Sequence, residues 1–319
     1  MATQTTTMPR TAAQATTAYY EANPAIRMLR AGLAASQRLW PSLAVRVAYR
    51  LFGTPFPLKW SQRRASPGEG WQREQWAFED GSVALYRRSD VASTAAQPRE
   101  GADVSAVDDA PVTLLAHGWG GHAGQMQALA DALAASGRQA LILELPAHGH
   151  NAGSVSNLPQ FARAIEYAVA RLQQQGVRVD ALAAHSLGAN AAAFAASRGL
   201  AVERLVLLAP PASPHVYTQL FANAFGLSEA TRAAMQRRIE AREGIVMQQF
   251  EPPAVGPRIH MPTLVVHDRG DSVNRFADGE EFSAAIAGAR LHATDGLGHR
   301  KILRDPGVLG EVTRFVAGA

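Results

Sequence analysis

Four short stretches of this chain carry side chains that can do chemistry together. Ser186 lies in Ala183-Ala184-His185-Ser186-Leu187-Gly188, where an apolar run meets a run of small residues. Asp271 follows in His267-Asp268-Arg269-Gly270-Asp271, and His299 in Gly296-Leu297-Gly298-His299. Upstream stands His117-Gly118-Trp119-Gly120-Gly121. A hydroxyl, an imidazole and a carboxylate can serve as nucleophile, base and orienter, and a glycine-rich turn can offer backbone N–H groups to a developing oxyanion.

Each piece has a plainer reading beside the chemical one. A serine between a strand and a helix is commonly an N-cap. Here Gly188 and the alanines 189 and 191–193 keep the following helix thin, as a strained strand-to-helix turn requires. The Leu187 N–H at that helix start is one candidate oxyanion donor, and the Trp119 N–H in the glycine-rich turn is the other. His117 reads as a buried strut of that turn. Asp271, well past the apolar run Thr263–Val266, is favoured over Asp268, which would cap the loop. His299 follows Gly296 and Gly298 on a loop, where an imidazole can move a proton in both directions near neutrality. His148 and His150 form a His-x-His pair without a third nearby ligand, so a strand-end turn is preferred to a metal site. No phosphate-cradling glycine loop occurs, and no cofactor is expected.

The elements needed to position these groups are legible in the hydrophobic periodicity. Trp71–Phe78 and Ser82–Arg87 read as a hairpin turning at Asp80-Gly81. From Val112 onward, short apolar runs alternate with helical periods. The runs are Val112–Ala116, Gln139–Leu145, Val179–Ala184, Leu205–Leu208, Thr263–Val266 and Arg290–Ala293. Helical periods cover Met126–Ala135, Leu158–Gln174, Leu187–Ser197 and Val308–Val316. That rhythm predicts right-handed βαβ crossovers, an α/β fold with a mostly parallel central sheet of about eight strands, and a site at the carboxyl ends of the strands.

The predicted organisation is a tail over residues 1–18, an N-terminal helical extension over 19–70, a core over 71–210 and 262–319, and a helical lid over 211–261. Within the extension, Ile26, Leu29 and Leu33 share a helix face, and Pro41 opens a second helix with Leu43, Val47 and Leu51. Packing of these helices on the main domain is preferred to a membrane surface. In the lid, Ser228 reads as an N-cap and a helix ends near Gly244. Phe221, Phe225 and Met247, with Trp119, are candidate substrate-binding residues that suit an apolar acyl group; Met235 and Phe250 are further apolar candidates. Core packing is the equal alternative for the lid residues.

Composition bounds the alternatives. The chain has 319 residues and no cysteine, which excludes disulfides and thiolate chemistry. It lacks an apolar run of about 18 residues and a secretory h-region, so the reading is cytoplasmic by default. Net charge is only +4, but residues 1–70 carry nine basic groups against Glu21 and Glu69, an excess of +7. Nucleic acid is not an expected partner; peripheral membrane contact through residues 24–60 is a secondary expectation.

Taken jointly, the order Ser186, Asp271, His299 after a His-Gly-Trp-Gly-Gly loop resembles the α/β-hydrolase superfamily over about residues 112–319, two-thirds of the chain. Closest in pattern are bacterial lid-bearing serine hydrolases of unassigned substrate. Ala184 departs from the usual elbow glycine. The resemblance implies cofactor-free acyl chemistry: an ester or thioester hydrolase with a Ser-His-Asp triad. Acyltransfer, or non-catalytic ligand binding or interaction on the same fold, are the alternatives.

Overall fold

The computed structural model describes residues 24–56, 59–89 and 111–318. The tail expected over 1–18 lies outside these residues. The strands are β1 (Trp71–Phe78), β2 (Gly81–Arg88), β3 (Val112–Ala116), β4 (Gln139–Glu144), β5 (Val179–His185), β6 (Arg204–Leu208), β7 (Thr263–Asp268) and β8 (Arg290–Thr294). They form one eight-stranded sheet in the order β1-β2-β4-β3-β5-β6-β7-β8. The β1–β2 hairpin pairs antiparallel with itself and with β4, and all other pairings are parallel. The hairpin turn differs from expectation by one residue. Phe78 pairs with Gly81, so Glu79 and Asp80 form the loop, and Glu79 takes a left-handed φ of 47°.

The helices are α1 (Pro24–Leu39), α2 (Pro41–Gly53), α3 (Lys59–Arg64), α4 (Gln127–Ala135), α5 (Leu158–Gln174), α6 (Leu187–Ser197), α7 (Pro214–Phe225), α8 (Glu229–Glu243), α9 (Pro252–Val255), α10 (Phe276–Ala285), α11 (Gly298–Lys301) and α12 (Pro306–Ala317). Capping chemistry sets several of their starts. Asn157, Ser228 and Asp305 each accept an N–H from the first turn, and Gly244 ends α8 in the left-handed conformation.

The sheet is covered on both faces, and successive strand residues alternate between them, as a two-residue period demands. Leu114, Leu141, Leu143, Leu182, Leu205, Leu207 and Val265 pack with Phe161 and Ile165 of α5, the alanines of α6, and Phe282 of α10. Leu115, Ile142, Ala183, Val206, Leu208, Leu264 and Val266 pack with Leu129 and Leu133 of α4 and Val308 and Val312 of α12. Helix α6 is buried from Gly188 to Ser197, which its run of alanines permits.

The described chain separates into two compact units. One holds the sheet and spans Gly53–Pro214 and Ile245–Ala319. The other combines the chain up to Phe52 with His215–Gly244. These bounds differ from the expected 19–70 and 211–261 for local reasons. Gln62 of α3 bonds to Gly149 N–H and Gly120 O in the sheet unit, and Phe250 stacks on Phe194 at 4.1 Å. Within the helical unit, Phe52 meets Phe221 edge-on, Gln37 bonds to Gly226 and Ser228, and Arg238 lies over Tyr49.

The parallel order changes direction at β3: the chain passes from β3 to β4 on one side, and β5 returns on the other. This opens a crevice between the carboxyl ends of β3 and β5. The loop after β3 and the start of α6 meet there with no slack. A Cβ at Gly188 would lie 2.2 Å from the His117 carbonyl oxygen, and one at Gly118 would lie 2.7 Å from Ser186 Cβ. Gly188→Ala should therefore overpack the crossing and lower the unfolding free energy by about 1–3 kcal/mol, measured as a lower urea midpoint. An unchanged midpoint would mean that the two segments separate freely.

Candidate active site

Ser186 ends β5 on a sharp turn, with φ 55° and ψ −128°. Its N–H donates to Leu208 O at 2.8 Å, and its carbonyl accepts from Ala189 and Asn190. The turn thrusts the hydroxyl clear of both strand and helix. Ser186 Oγ lies 3.1 Å from His299 Nε2, and His299 Nδ1 lies 2.7 Å from Asp271 Oδ2. Three residues separated by up to 113 positions thus form one hydrogen-bonded line.

The two carboxylates of the β7 loop are divided in their contacts. Asp271 Oδ1 accepts the N–H groups of Val273 and Asn274, which leaves Oδ2 for His299. Its side chain is enclosed. Burial pushes its carboxyl up, but the hydrogen bonds from His267 and His299, the His299 charge and the Val273 N–H outweigh it and hold the group well below the usual carboxylate range. Asp268 instead accepts from Gly270 N–H, Thr294 Oγ and Leu297 N–H. It ties the β7 loop to the loop that carries His299.

The glycine-rich turn after β3 is held from behind by neutral imidazoles. His117 Nδ1–H donates to Gly118 O at 2.8 Å, and its Nε2 accepts Leu145 N–H at 3.0 Å. His148 Nδ1–H donates to Pro146 O, and its Nε2 accepts Gly120 N–H at 2.9 Å. Burial lowers both imidazoles, His117 well below its ordinary value and His148 to about 4. The N–H groups of Gly120 and Gly121 are thereby engaged, the latter with Gly118 O. Trp119 N–H precedes them in the same turn. Leu187 is the first residue of α6, where an N–H has no partner one turn back.

The side chains expected to bind substrate fall in different places. Trp119 packs on Phe161 and His148 at 5.8 and 5.3 Å in the sheet unit. Phe221 and Phe225 lie 4.6 Å apart within the helical unit, on Phe52. Met247 is buried in the sheet unit, and Met235 and Phe250 are wholly interior. His150 Nδ1 meets Tyr86 Oη and Ser66 Oγ, as a residue of a strand-end turn.

Sequence reasoning missed four supporting residues. His185 Nε2–H donates to the His299 carbonyl at 2.9 Å, and burial with the nearby His299 charge lowers its imidazole to about 3. Asn274 Nδ2–H donates to Ala209 O at 2.7 Å and stands 3.5 Å from Ser186 Oγ. Gln62 bridges Gly149 and Gly120. Glu144 is fully buried at the end of β4, accepting from Ala123 N–H, His150 N–H and Tyr86 Oη; burial raises its carboxyl despite these bonds. Only Glu144 left a signal, as a carboxylate ending an apolar run.

These buried imidazoles make stability depend on acid. An unfolded imidazole titrates near 6.5 and folded His148 at about 4, so between those values the unfolded chain binds more protons. Stability from this residue is complete above about pH 6.5 and is lost as pH falls towards 4, by about 3 kcal/mol. Urea unfolding at neutral and acid pH should show this loss, and His148→Gln should flatten the slope; an equal slope in the variant would remove His148 as its source.

The sequence matches, over residues 109–249, the family described as serine aminopeptidase, S33. No curated protein matches it. Among solved structures, a hydrolase from Pseudomonas aeruginosa is similar at 21% identity and TM-score 0.56, covering 79% of this chain and 100% of its own. Est1E from Butyrivibrio proteoclasticus, solved with ferulic acid bound, gives 17% identity and TM-score 0.53 over 77% of this chain and 96% of its own. A membrane phospholipase A described as a bacterial virulence factor gives 15% and 0.55 over 92% and 97%. With the strand order, the antiparallel β2 and the left-handed turn at the crevice already in hand, these likenesses show that the chain has an α/β-hydrolase-like fold.

Proposed function

We propose that this protein is a serine hydrolase that cleaves carboxylic esters or thioesters through an acyl-enzyme. The observation that carries the reading is the line Ser186 Oγ–His299 Nε2 at 3.1 Å and His299 Nδ1–Asp271 Oδ2 at 2.7 Å. With Nδ1–H donated to an ionised Asp271, the Nε2 lone pair faces the hydroxyl and accepts its proton. Ser186 Oγ bonds to the substrate carbonyl carbon, and the oxyanion turns towards the N–H groups of Trp119 and Leu187. His299 returns the proton to the leaving alcohol or thiol as its bond to that carbon breaks. Water, deprotonated by the same imidazole, then releases the acid and restores Ser186. An ester substrate agrees with the ferulic-acid complex and the phospholipase among the similar structures. An apolar acyl group agrees with Trp119 beside the crevice. The matched family's description as an aminopeptidase supports a second reading, amide hydrolysis by the same groups.

A fluorophosphonate probe and an acyl-chain series of p-nitrophenyl esters, with an aminoacyl p-nitroanilide alongside, test this directly. Ser186→Ala should abolish labelling and lower kcat by at least about 10³-fold. Full turnover or labelling in that variant would remove the proposal, and cleavage of the anilide alone would favour the amide reading. The carboxylate assignment is tested by a pair of variants. Asp271→Asn should lower kcat by about 10³–10⁴-fold while the fold persists, because the amide no longer enforces the Nδ1–H tautomer. Asp268→Asn should chiefly lower the melting midpoint, by loosening Leu297 and Thr294. Reversed outcomes would make Asp268 the orienter.

A further inference from the structure

The helical unit presents a face that its own packing does not explain. Helices α1 and α2 meet at Trp40, whose N–H donates to Ser36 O at the end of α1 and whose carbonyl accepts from Leu43 and Ala44 at the start of α2. One side of this pair is inward, with Leu33, Ala44 and Ala48 buried. On another side of α1, Met28, Gly32, Ala35 and Leu39 follow at helical spacing, and all are exposed, as are Trp40 and Leu43 after them. Met28 is 77% exposed, Leu39 64% and Trp40 61%. From residue 28 to residue 39 the stripe extends about 16 Å.

Charge surrounds it. Arg27 and Arg38 flank the stripe, Arg46 and Arg50 lie on α2, and all four are exposed. From residue 24 to residue 52 the chain has five basic residues and no Asp or Glu. Large exposed apolar side chains with a tryptophan among them, in a stretch free of negative charge, fit the boundary between lipid headgroups and acyl chains. A nucleic-acid surface would account for the arginines but not for Met28, Leu39 and Leu43. The stripe is too short and too polar at its edges to cross a bilayer, and no helix among the described residues is long and apolar enough to do so.

We infer that the exposed face of α1 and α2 docks on the surface of an anionic lipid bilayer, with Met28, Leu39, Trp40 and Leu43 inserted among the acyl chains and Arg27, Arg38, Arg46 and Arg50 at the headgroup phosphates. Arginine suits this position because its aliphatic stem lies along the apolar layer while the guanidinium stays at the polar level. The inference is independent of the chemistry assigned to Ser186.

Flotation of the full chain with vesicles of phosphatidylglycerol and phosphatidylcholine, compared with phosphatidylcholine alone, tests it. Binding should need the anionic lipid and weaken with salt. Met28→Ser/Leu39→Ser/Trp40→Ser and, separately, Arg27→Glu/Arg38→Glu/Arg46→Glu should each weaken it about ten-fold or more. All of these positions are exposed, so melting midpoint and turnover of a soluble ester should stay at the parent value. Equal flotation of parent and variants would overturn the inference, as would no flotation at all. So would light scattering that gave a dimer for the parent and a monomer for the serine variant, since a second copy would then cover the face.

Discussion

Ser186 holds a backbone conformation that a residue with a Cβ adopts only when its surroundings over-determine it, at a cost of about 1–3 kcal/mol. The surroundings here are specific. Its N–H is drawn to Leu208 on β6, its carbonyl starts α6, and α6 lies flat on the sheet because its face is alanine. Asn190, one turn on, is fully buried and donates to Pro211 O, which fixes the helix against the loop leaving β6. Strand, turn and helix are thus tied separately to a third element. The hydroxyl inherits a fixed direction from that arrangement, and the remaining groups need only be brought to it.

The same crowding explains the buried histidines. His117 and His148 are fully buried behind the β3 loop, and its turns are satisfied there by side chains that both donate and accept. A neutral imidazole does this with one nitrogen each way, and His117 and His148 both use Nδ1 as donor and Nε2 as acceptor. Glu144 supplies the acceptor that backbone N–H groups on two loops require, at residues 123 and 150. The desolvation that depresses these imidazoles and raises this carboxyl is the cost of holding the loop rigid without solvent.

Much of the sheet was legible because a strand buried on both faces is a continuous apolar run, and such runs stand out between helical periods. Strand positions agree to within one residue at each end, except that β7 runs two residues further, to Asp268. The candidate nucleophile, base and orienter were legible because each follows such a run. The supporting residues were not. His185 is one residue from Ser186, yet its partner is the backbone of His299, and nothing local announces a contact across 114 positions. Asn274 and Gln62 are ordinary polar residues until the fold delivers Ala209 and Gly149 to them. The union of α1 and α2 with α7 and α8 was equally hidden. It rests on pairs such as Gln37 with Ser228, 191 residues apart, between helices whose patterns show a face but not its mate.

The division between Asp268 and Asp271 follows from register alone. Asp268 is the last residue of β7 and pairs with Thr294 across the β7–β8 ladder. Its carboxylate is therefore held where β8 ends, within reach of Thr294 Oγ and the Leu297 N–H that follows. An acid fixed to the ladder can brace the loop carrying the imidazole but cannot turn back towards β5. Three residues further the chain has left the sheet, and Asp271 folds its own loop by accepting from Val273 and Asn274 with one oxygen. That turn directs the second oxygen at His299, whose carbonyl is held from the other side by His185. The imidazole is therefore clamped between an acid beyond β7 and a neutral donor ending β5. Its free nitrogen points where the strained turn has placed the hydroxyl.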